Sequence, residues 1–228
     1  MPLATPDVLL ATNRARVVET VLRWMLHEAR NPLQTLTLLP TLGEGAARVD
    51  ELPEWREAVG GARDRLVAAV ALLERLVGAG RGAPEPVALA SALAFIRDLL
   101  HARRGRLQLD LSDIHPDLLP AVTAVPKHLD WVLINLALNA AEATADRDAR
   151  LTMRARLADD HVMLELEDDG PGIDASVHPR LFQPYTTTKS DHPDRGLGLY
   201  AARLLLSGVG ATIDYEPGPL ERTPTVAD

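Results

Sequence analysis

The chain contains no cysteine, so disulfides and thiolate–metal centres are excluded. It also has no run of about 18 consecutive apolar residues, the length needed for a membrane-spanning helix. The first sixteen residues lack the charged start and long apolar stretch of a signal peptide, and a cytoplasmic location is expected. Basic residues are scattered rather than clustered, and the formal net charge is −8, which argues against nucleic acid as the main partner. There is no internal repeat or low-complexity tract. What remains is 228 residues, 46% of them hydrophobic, enough for one large or two modest domains with a buried core.

Glycine is missing from residues 7–39, which read as one helix. Val18, Leu22, Met25, Ala29, Pro32, Leu36 and Leu39 follow the alternating four-three spacing of a coiled-coil seam. His27 stands two residues from both Met25 and Ala29, about 200° around the helix from each, and is expected to face away from the seam. Glu28 follows it; a carboxylate there suits an imidazole that must keep its proton on Nδ1 and use Nε2 as a nucleophile. Pro32 removes a backbone donor and predicts a kink.

After a break at residues 41–50, a second seam runs through Trp55, Val59, Ala62, Leu66, Ala69, Leu73 and Leu76. The two helices predict a hairpin. Val17, Val21, Val70 and Val77 flank the seams and widen the apolar stripe beyond one partner, so pairing of two copies into a four-helix bundle is expected.

Residues 78–86 (GAGRGAPEP) form a linker, after which the pattern changes. Helices are expected at 88–102, 127–144 and 197–208, and strands at 106–111, 118–122, 150–157, 161–167 and 212–215. Helices on one face of a mixed sheet make an α+β layer fold.

Four segments of this region carry candidate chemistry. Asn135 and Asn139 lie four apart on one helix, so their carboxamides share a face; such oxygens suit Mg²⁺ and their N–H groups suit phosphate. Residues 168–172 (DDGPG) end a strand with a carboxylate that can accept from an exocyclic amine, beside glycines that allow a tight turn. Residues 181–189 (LFQPYTTTK) join an aromatic–proline turn to three threonines and a lysine. Residues 195–199 (RGLGL) open a helix whose first N–H groups can receive phosphate.

In this order, the segments resemble the boxes of two-component sensor histidine kinases. Residues 27–33 (HEARNPL) are similar to the phosphoacceptor box, 129–143 to the N box, and 168–172 to the first glycine box. Residues 181–189 are similar to the F box, and 196–199 to most of the second glycine box. The likeness runs from about residue 15 to residue 216.

The resemblance implies a dimerisation and histidine-phosphotransfer hairpin (1–79), a linker (80–86) and an ATP-binding α/β sandwich of the gyrase–kinase–MutL type (87–228). It implies that His27 accepts the γ-phosphoryl group of ATP while Glu28 orients or deprotonates it. Asn139 with Asn135 would hold Mg²⁺, Asp168 would read adenine, and Gly170 and Gly172 would shape the pocket. Gly196 and Gly198 would let the lid approach the phosphates, with Lys189 and Arg195 as further phosphate contacts. Asn31 matches a position that places water for dephosphorylating a partner. The implied partners are a second copy of the chain and the receiver domain of a response regulator. Related ATPases carry glutamate where this chain has Asn135; an amide is no general base at neutral pH, so the site suits transfer rather than hydrolysis.

The chain departs from the family pattern at Asp194, which stands where the second glycine box begins with glycine. The lid at 190–195 is short and carries both charge signs. Residues 216–228 lack the usual glycine–threonine turn and apolar strand, as expected of a trimmed protein or of one that more domains once followed, and too few residues precede the hairpin for a sensor domain. These departures keep open a second reading, a non-catalytic dimeric phosphotransfer adaptor with a degenerate ATP domain. Asn139, Asp168, Gly170, Gly172 and Lys189 oppose it.

Overall fold

The computed structural model describes residues 4–38, 60–61, 63–64, 67, 70–71, 74–76, 82–102, 107–115, 119–144, 148–187 and 196–217; the side chains of residues 27–38 and 101–102 lie outside that description. Helix α1 runs from Pro6–Leu38 without interruption, so Pro32 does not end it. The described residues between 60 and 76 are helical as well. Then follow β1 (Glu85–Val87), α2 (Leu89–Ala102), β2 (Leu107–Asp110), β3 (Val122–Ala124), α3 (Pro126–Ala143), β4 (Ala149–Ala158) and β5 (His161–Asp168). A 3-10 turn (Ala175–Arg180) and α4 (Gly198–Ser207) complete the order.

Strands β2, β4 and β5 form a mixed sheet in that order, β2 parallel and β5 antiparallel to β4. Strands β1 and β3 form a separate antiparallel pair. Strand β4 shows the period of two that builds a one-sided core. Ala149, Leu151 and Met153 are buried against the helices, while Arg150, Arg154 and Arg156 point outward. The outward face carries ion pairs, Arg154 with Glu167 at 2.7 Å and Arg156 with Glu165 at 3.5 Å. Exposed pairs of this kind add little stability, and the sheet is held by its inner face.

Helices α2, α3 and α4 cover that inner face in an α/β sandwich. Helix α3 begins with Pro126 at its first turn, where a missing N–H costs nothing. Eleven of its residues are buried, among them Trp131, Val132, Leu133, Ile134, Leu138 and Ala141, too many for one stripe. A helix apolar nearly all round needs cover on both sides. The second cover is α1, whose buried residues Leu9, Asn13, Val17, Val21 and Met25 recur at steps of four. Val17, Val21 and Met25 share one hydrophobic cluster with Leu138, Ala202 and Leu205. Steps of four build the ridge used in globular helix packing, in contrast to a coiled-coil seam. In the described half of α1, the expected seam residues Val18 and Leu22 are only half-buried, and the flanking valines Val17 and Val21 are covered by the sandwich.

Arg75, in the described helical residues 74–76, is fastened to α3 by charge. Asp130, buried in the first turns of α3, accepts from both Arg75 Nε and Arg75 Nη2 at 2.6 Å. The same guanidinium donates to the Ser91 carbonyl at 3.2 Å and stacks 4.2 Å above the Phe95 ring. Val67 and Val70 on the same helix are exposed.

Other expectations are corrected in detail. The strand expected at 118–122 forms instead at Val122–Ala124, where it pairs with Glu85–Val87. The last two residues of the expected linker therefore belong to a strand. The strand expected at 212–215 does not form. Those residues pack by side chain: Ile213 against the core, and Tyr215 Oη accepting from the Ile173 N–H at 3.4 Å.

Two outcomes are expected. Arg75→Ala leaves the Asp130 carboxylate buried without its cation and lowers stability in urea unfolding by about 2 kcal/mol. Arg63→Ala, which breaks the exposed pair with Asp64, changes it by less than about 0.5 kcal/mol. The second concerns His128 in the first turn of α3, whose pKa is held below its ordinary value by burial and then by the nearby Arg14 guanidinium. The neutral ring is favoured in the fold, so its stabilising contribution is full above about pH 6.5 and is lost as pH falls, because the unfolded chain takes up the proton first. His128→Gln flattens the loss of stability below pH 6.5, measured by urea unfolding against the parent chain.

Candidate functional site

The candidate residues on α3 meet the start of α4 through a glycine. A Cβ added to Gly198 would stand 3.2 Å from Asn135 Oδ1 and 3.4 Å from Asn139 Oδ1, so both carboxamides converge where α4 begins. Asn135 is buried and Asn139 exposed. The Asn135 amide is fixed from two sides. Its Nδ2 donates to the Trp131 carbonyl at 2.8 Å and to Asn13 Oδ1 at 3.3 Å, and its Oδ1 accepts from Asn13 Nδ2 at 2.9 Å.

One turn further along α3, Ala143 meets the glycine turn. A Cβ on Gly170 would approach Ala143 Cβ to 3.3 Å and collide with Asp168 Oδ1 at 2.4 Å. That oxygen accepts from the Gly170 N–H at 2.9 Å, so the Asp168 side chain folds over its own turn. Gly172 has a φ of 74° and nothing within 4 Å of its missing side chain. The turn is steadied from behind by His178 Nε2, which lies 2.9 Å from the Ile173 carbonyl and whose ring packs edge-on against Tyr215 at 5.1 Å.

Gly196 is held to glycine by its backbone conformation and its neighbours. Its φ is 79°, and a Cβ there would lie 2.6 Å from the Thr186 carbonyl oxygen and 2.6 Å from the Tyr185 carbonyl carbon. The second glycine segment is thus pressed onto the backbone of the aromatic–threonine segment. Tyr185 itself takes a positive φ of 62°, which a bulky residue rarely does. Phe182 of that segment sits under Arg203 of α4 at 5.8 Å, and Thr186 Oγ1 donates to the Arg180 carbonyl at 2.7 Å.

The structure therefore brings Asn135, Asn139 and Gly198 together, places Gly170 at the end of the same helix, and joins Gly196 to residues 185–186. Lys189, Asp194 and Arg195 lie outside the described residues. The backbone of His27, Glu28 and Asn31 is helical within α1, and their side chains lie outside the described part. Residues not anticipated from the sequence are Asn13 and Arg16 of α1 and Glu142 of α3, with Arg16 Nη2 donating to Glu142 Oε1 at 2.8 Å. A signal for Asn13 was present: it is the one polar position in the stripe Leu9, Asn13, Val17, Val21.

The donor set fits a magnesium nucleotide chemically, with neutral amide oxygens for a hard cation and a carboxylate for an amine. Among the described residues no cluster of three or more His, Cys, Asp or Glu offers an alternative metal site. No helix of the described residues is long and apolar enough to cross a membrane.

Convergent asparagines at the glycine-opened end of a helix, in an α/β sandwich, define a class, and residues 124–226 match it: the family of histidine kinase-, DNA gyrase B-, and HSP90-like ATPases. Similar proteins narrow the class. The C4-dicarboxylate transport sensor protein DctB of Rhizobium meliloti is 32% identical over 95% of this chain and 35% of its own length. The sensor histidine kinase ZraS of Klebsiella oxytoca is 31% identical over 85% and 42%. The sensory histidine kinase/phosphatase NtrB of Rhizobium leguminosarum bv. phaseoli is 30% identical over 82% and 52%. The chain is a member of the two-component histidine kinases with an ATP-binding domain, and it spans a third to a half of the length of these relatives.

The glycines give a graded expectation. Gly196→Ala meets both a disfavoured φ and backbone atoms at 2.6 Å, and lowers stability by more than about 2 kcal/mol. Gly172→Ala meets the φ penalty alone and costs about 1 kcal/mol. Urea unfolding of the two variants measures the difference.

Proposed function

We propose that this chain is a histidine kinase core that transfers the γ-phosphoryl group of Mg-ATP to His27 and passes it to an aspartate on the receiver domain of a response regulator. The observation that carries the reading is the convergence of Asn135, Asn139 and Gly198 beside the Asp168–Gly170 turn, in a chain whose relatives are named sensor histidine kinases. Residues 1–79 serve as the dimerising phosphotransfer hairpin and 80–84 as the connection. The ATP-binding domain then starts with β1.

In this reading Asn139 and Asn135 hold Mg²⁺, which when bound neutralises triphosphate charge. Asp168 accepts from the adenine amine, and Lys189 and Arg195 contact phosphate. Glu28 accepts the Nδ1–H of His27, leaving Nε2 with its lone pair free. The Nε2–phosphorus bond forms as the bond from phosphorus to the β-phosphate oxygen breaks, and ADP departs. A receiver aspartate then attacks the same phosphorus and the nitrogen–phosphorus bond breaks. Asn135 and Asn139 are amides and take no proton, so the pair favours positioning over hydrolysis. Asn31 places water for removing phosphate from the regulator, an activity in keeping with the printed name of NtrB.

A second reading, the non-catalytic phosphotransfer adaptor, draws support from one observation. With α1 docked, the space beside Asn135 and Asn139 is about 10 Å³, room for a single water-sized molecule.

Incubation with labelled ATP and Mg²⁺ separates the two readings. The kinase gives acid-labile, base-stable label that disappears in His27→Gln and falls at least 100-fold in Asn139→Ala. An adaptor takes no label from ATP but accepts it from a phosphorylated receiver domain.

A further inference from the structure

We propose that the first half of α1 is an intramolecular competitor of the nucleotide, closing the site when docked on α3 and α4 and opening it when released. The inference rests on the reading of Asn135 and Asn139 as the metal and phosphate face.

The first ground is chemical. Asn13 presents to Asn135 a matched amide: one N–H donated and one oxygen accepting, at 2.9 Å and 3.3 Å. With the Trp131 carbonyl taking the other hydrogen, both Asn135 donors are in use. A phosphate oxygen seeking those donors must displace Asn13. The second ground is space. The cavity of about 10 Å³ is walled by Asn13, Arg16 and Val17 on one side and Asn135, Asn139 and Gly198 on the other. A triphosphate with its metal enters only if the α1 wall moves.

The third ground is that the docked contact is built to separate. Its rim is a half-exposed ion pair, Arg16 with Glu142 at 2.8 Å. Beneath it, Arg14 Nε is buried without a hydrogen-bond partner, and its guanidinium lies 5.8 Å from the centre of the Trp131 ring. A buried donor left unmade opposes docking, offsetting part of what Val17 and Val21 contribute. The fourth ground is reach. The fourteen residues from Asn13 to His27 rise about 21 Å along the helix. Docking through Asn13 therefore holds the backbone at His27 about four turns from the asparagines. Closing the site and withholding the nucleophile are one act.

Competition of this kind makes apparent affinity proportional to the released fraction. Mg-ADP titration of the full chain tests it, with circular dichroism as the check on folding. Asn13→Ala and Arg16→Glu are expected to bind at least threefold more tightly than the parent, and the charge-swapped Arg16→Glu/Glu142→Arg to return towards it. Asn139→Ala is expected to lose binding. Arg16 lies at the rim, so its variant serves if Asn13→Ala fails to fold. Added Mg-ADP is also expected to speed amide hydrogen exchange in residues 9–21, since nucleotide and docking exclude one another. Unchanged affinity in both α1 variants, with binding lost in Asn139→Ala, overturns the competition and leaves the site standing. No binding by any chain, including the α1 variants, overturns the site reading and the inference with it.

Discussion

Polar groups buried in α3 must find partners, and that requirement organises the molecule. A buried amide or carboxylate left without a partner costs more than most single contacts return. Helix α3 buries two such residues, Asp130 and Asn135, and a third polar side chain is buried at its C-terminal end. Thr144, just past its end, satisfies itself on the Ala140 carbonyl. Asp130 and Asn135 reach outside the sandwich, to Arg75 and Asn13. Both partners lie N-terminal to the sandwich, Asn13 in α1 and Arg75 in the helical residues 74–76. The sandwich is thus tied to these two segments by directional bonds at two points, one charged and one neutral. The two points differ in kind. Arg75 is held by two hydrogen bonds to a buried carboxylate and by a ring, whereas the amide pair has only neutral bonds and sits beside Arg14, whose Nε is buried without a hydrogen-bond partner.

This difference assigns unlike roles to the two ends of the interface. The Arg75–Asp130 end joins the helical residues 74–76 to the first turns of α3 and separates only at high cost. The Asn13 end lies across the candidate nucleotide face, where a ligand offering equal hydrogen bonds and a stronger charge can replace a neutral amide. A fixed end and a replaceable end are what a hinged cover needs.

Much of this fold was legible in the sequence where the signal was long and periodic. Strict alternation gave β4 and β5 and their pairing, the helix read at 127–144 lies within one residue of α3 at each end, and the glycine-rich 195–199 gave the opening of α4. Short elements were lost. Strand β1 has three residues, one of them proline, and β3 also has three, so neither develops a period. Residues 212–215 have strand-like composition, but Tyr215 is committed to Ile173 by its hydroxyl. The two asparagines and the Asp168 turn were singled out by residue type and spacing, and the fold sets Asn139 and the Gly170 turn along the same helix. The cover was not singled out. Val18 falls on the heptad seam and Val17 and Val21 on a ridge of four-residue steps beside it, and the partner decides which stripe is used. At Gly196 the structure adds a constraint that spacing did not reveal, the close Tyr185–Thr186 backbone.

Continuity of α1 has a mechanical consequence. The helix runs through Pro32, and its 33 residues correspond to about 50 Å of helical rise. The bond at Asn13 lies near one end and the HEARNPL segment well beyond the middle. A rod pivoting at Asn13 magnifies small rotations: a tilt of about 10° carries the backbone of residue 27 sideways by about 4 Å. A slight rearrangement among a few valines and one amide would thus be felt, as leverage, at the segment that bears the histidine.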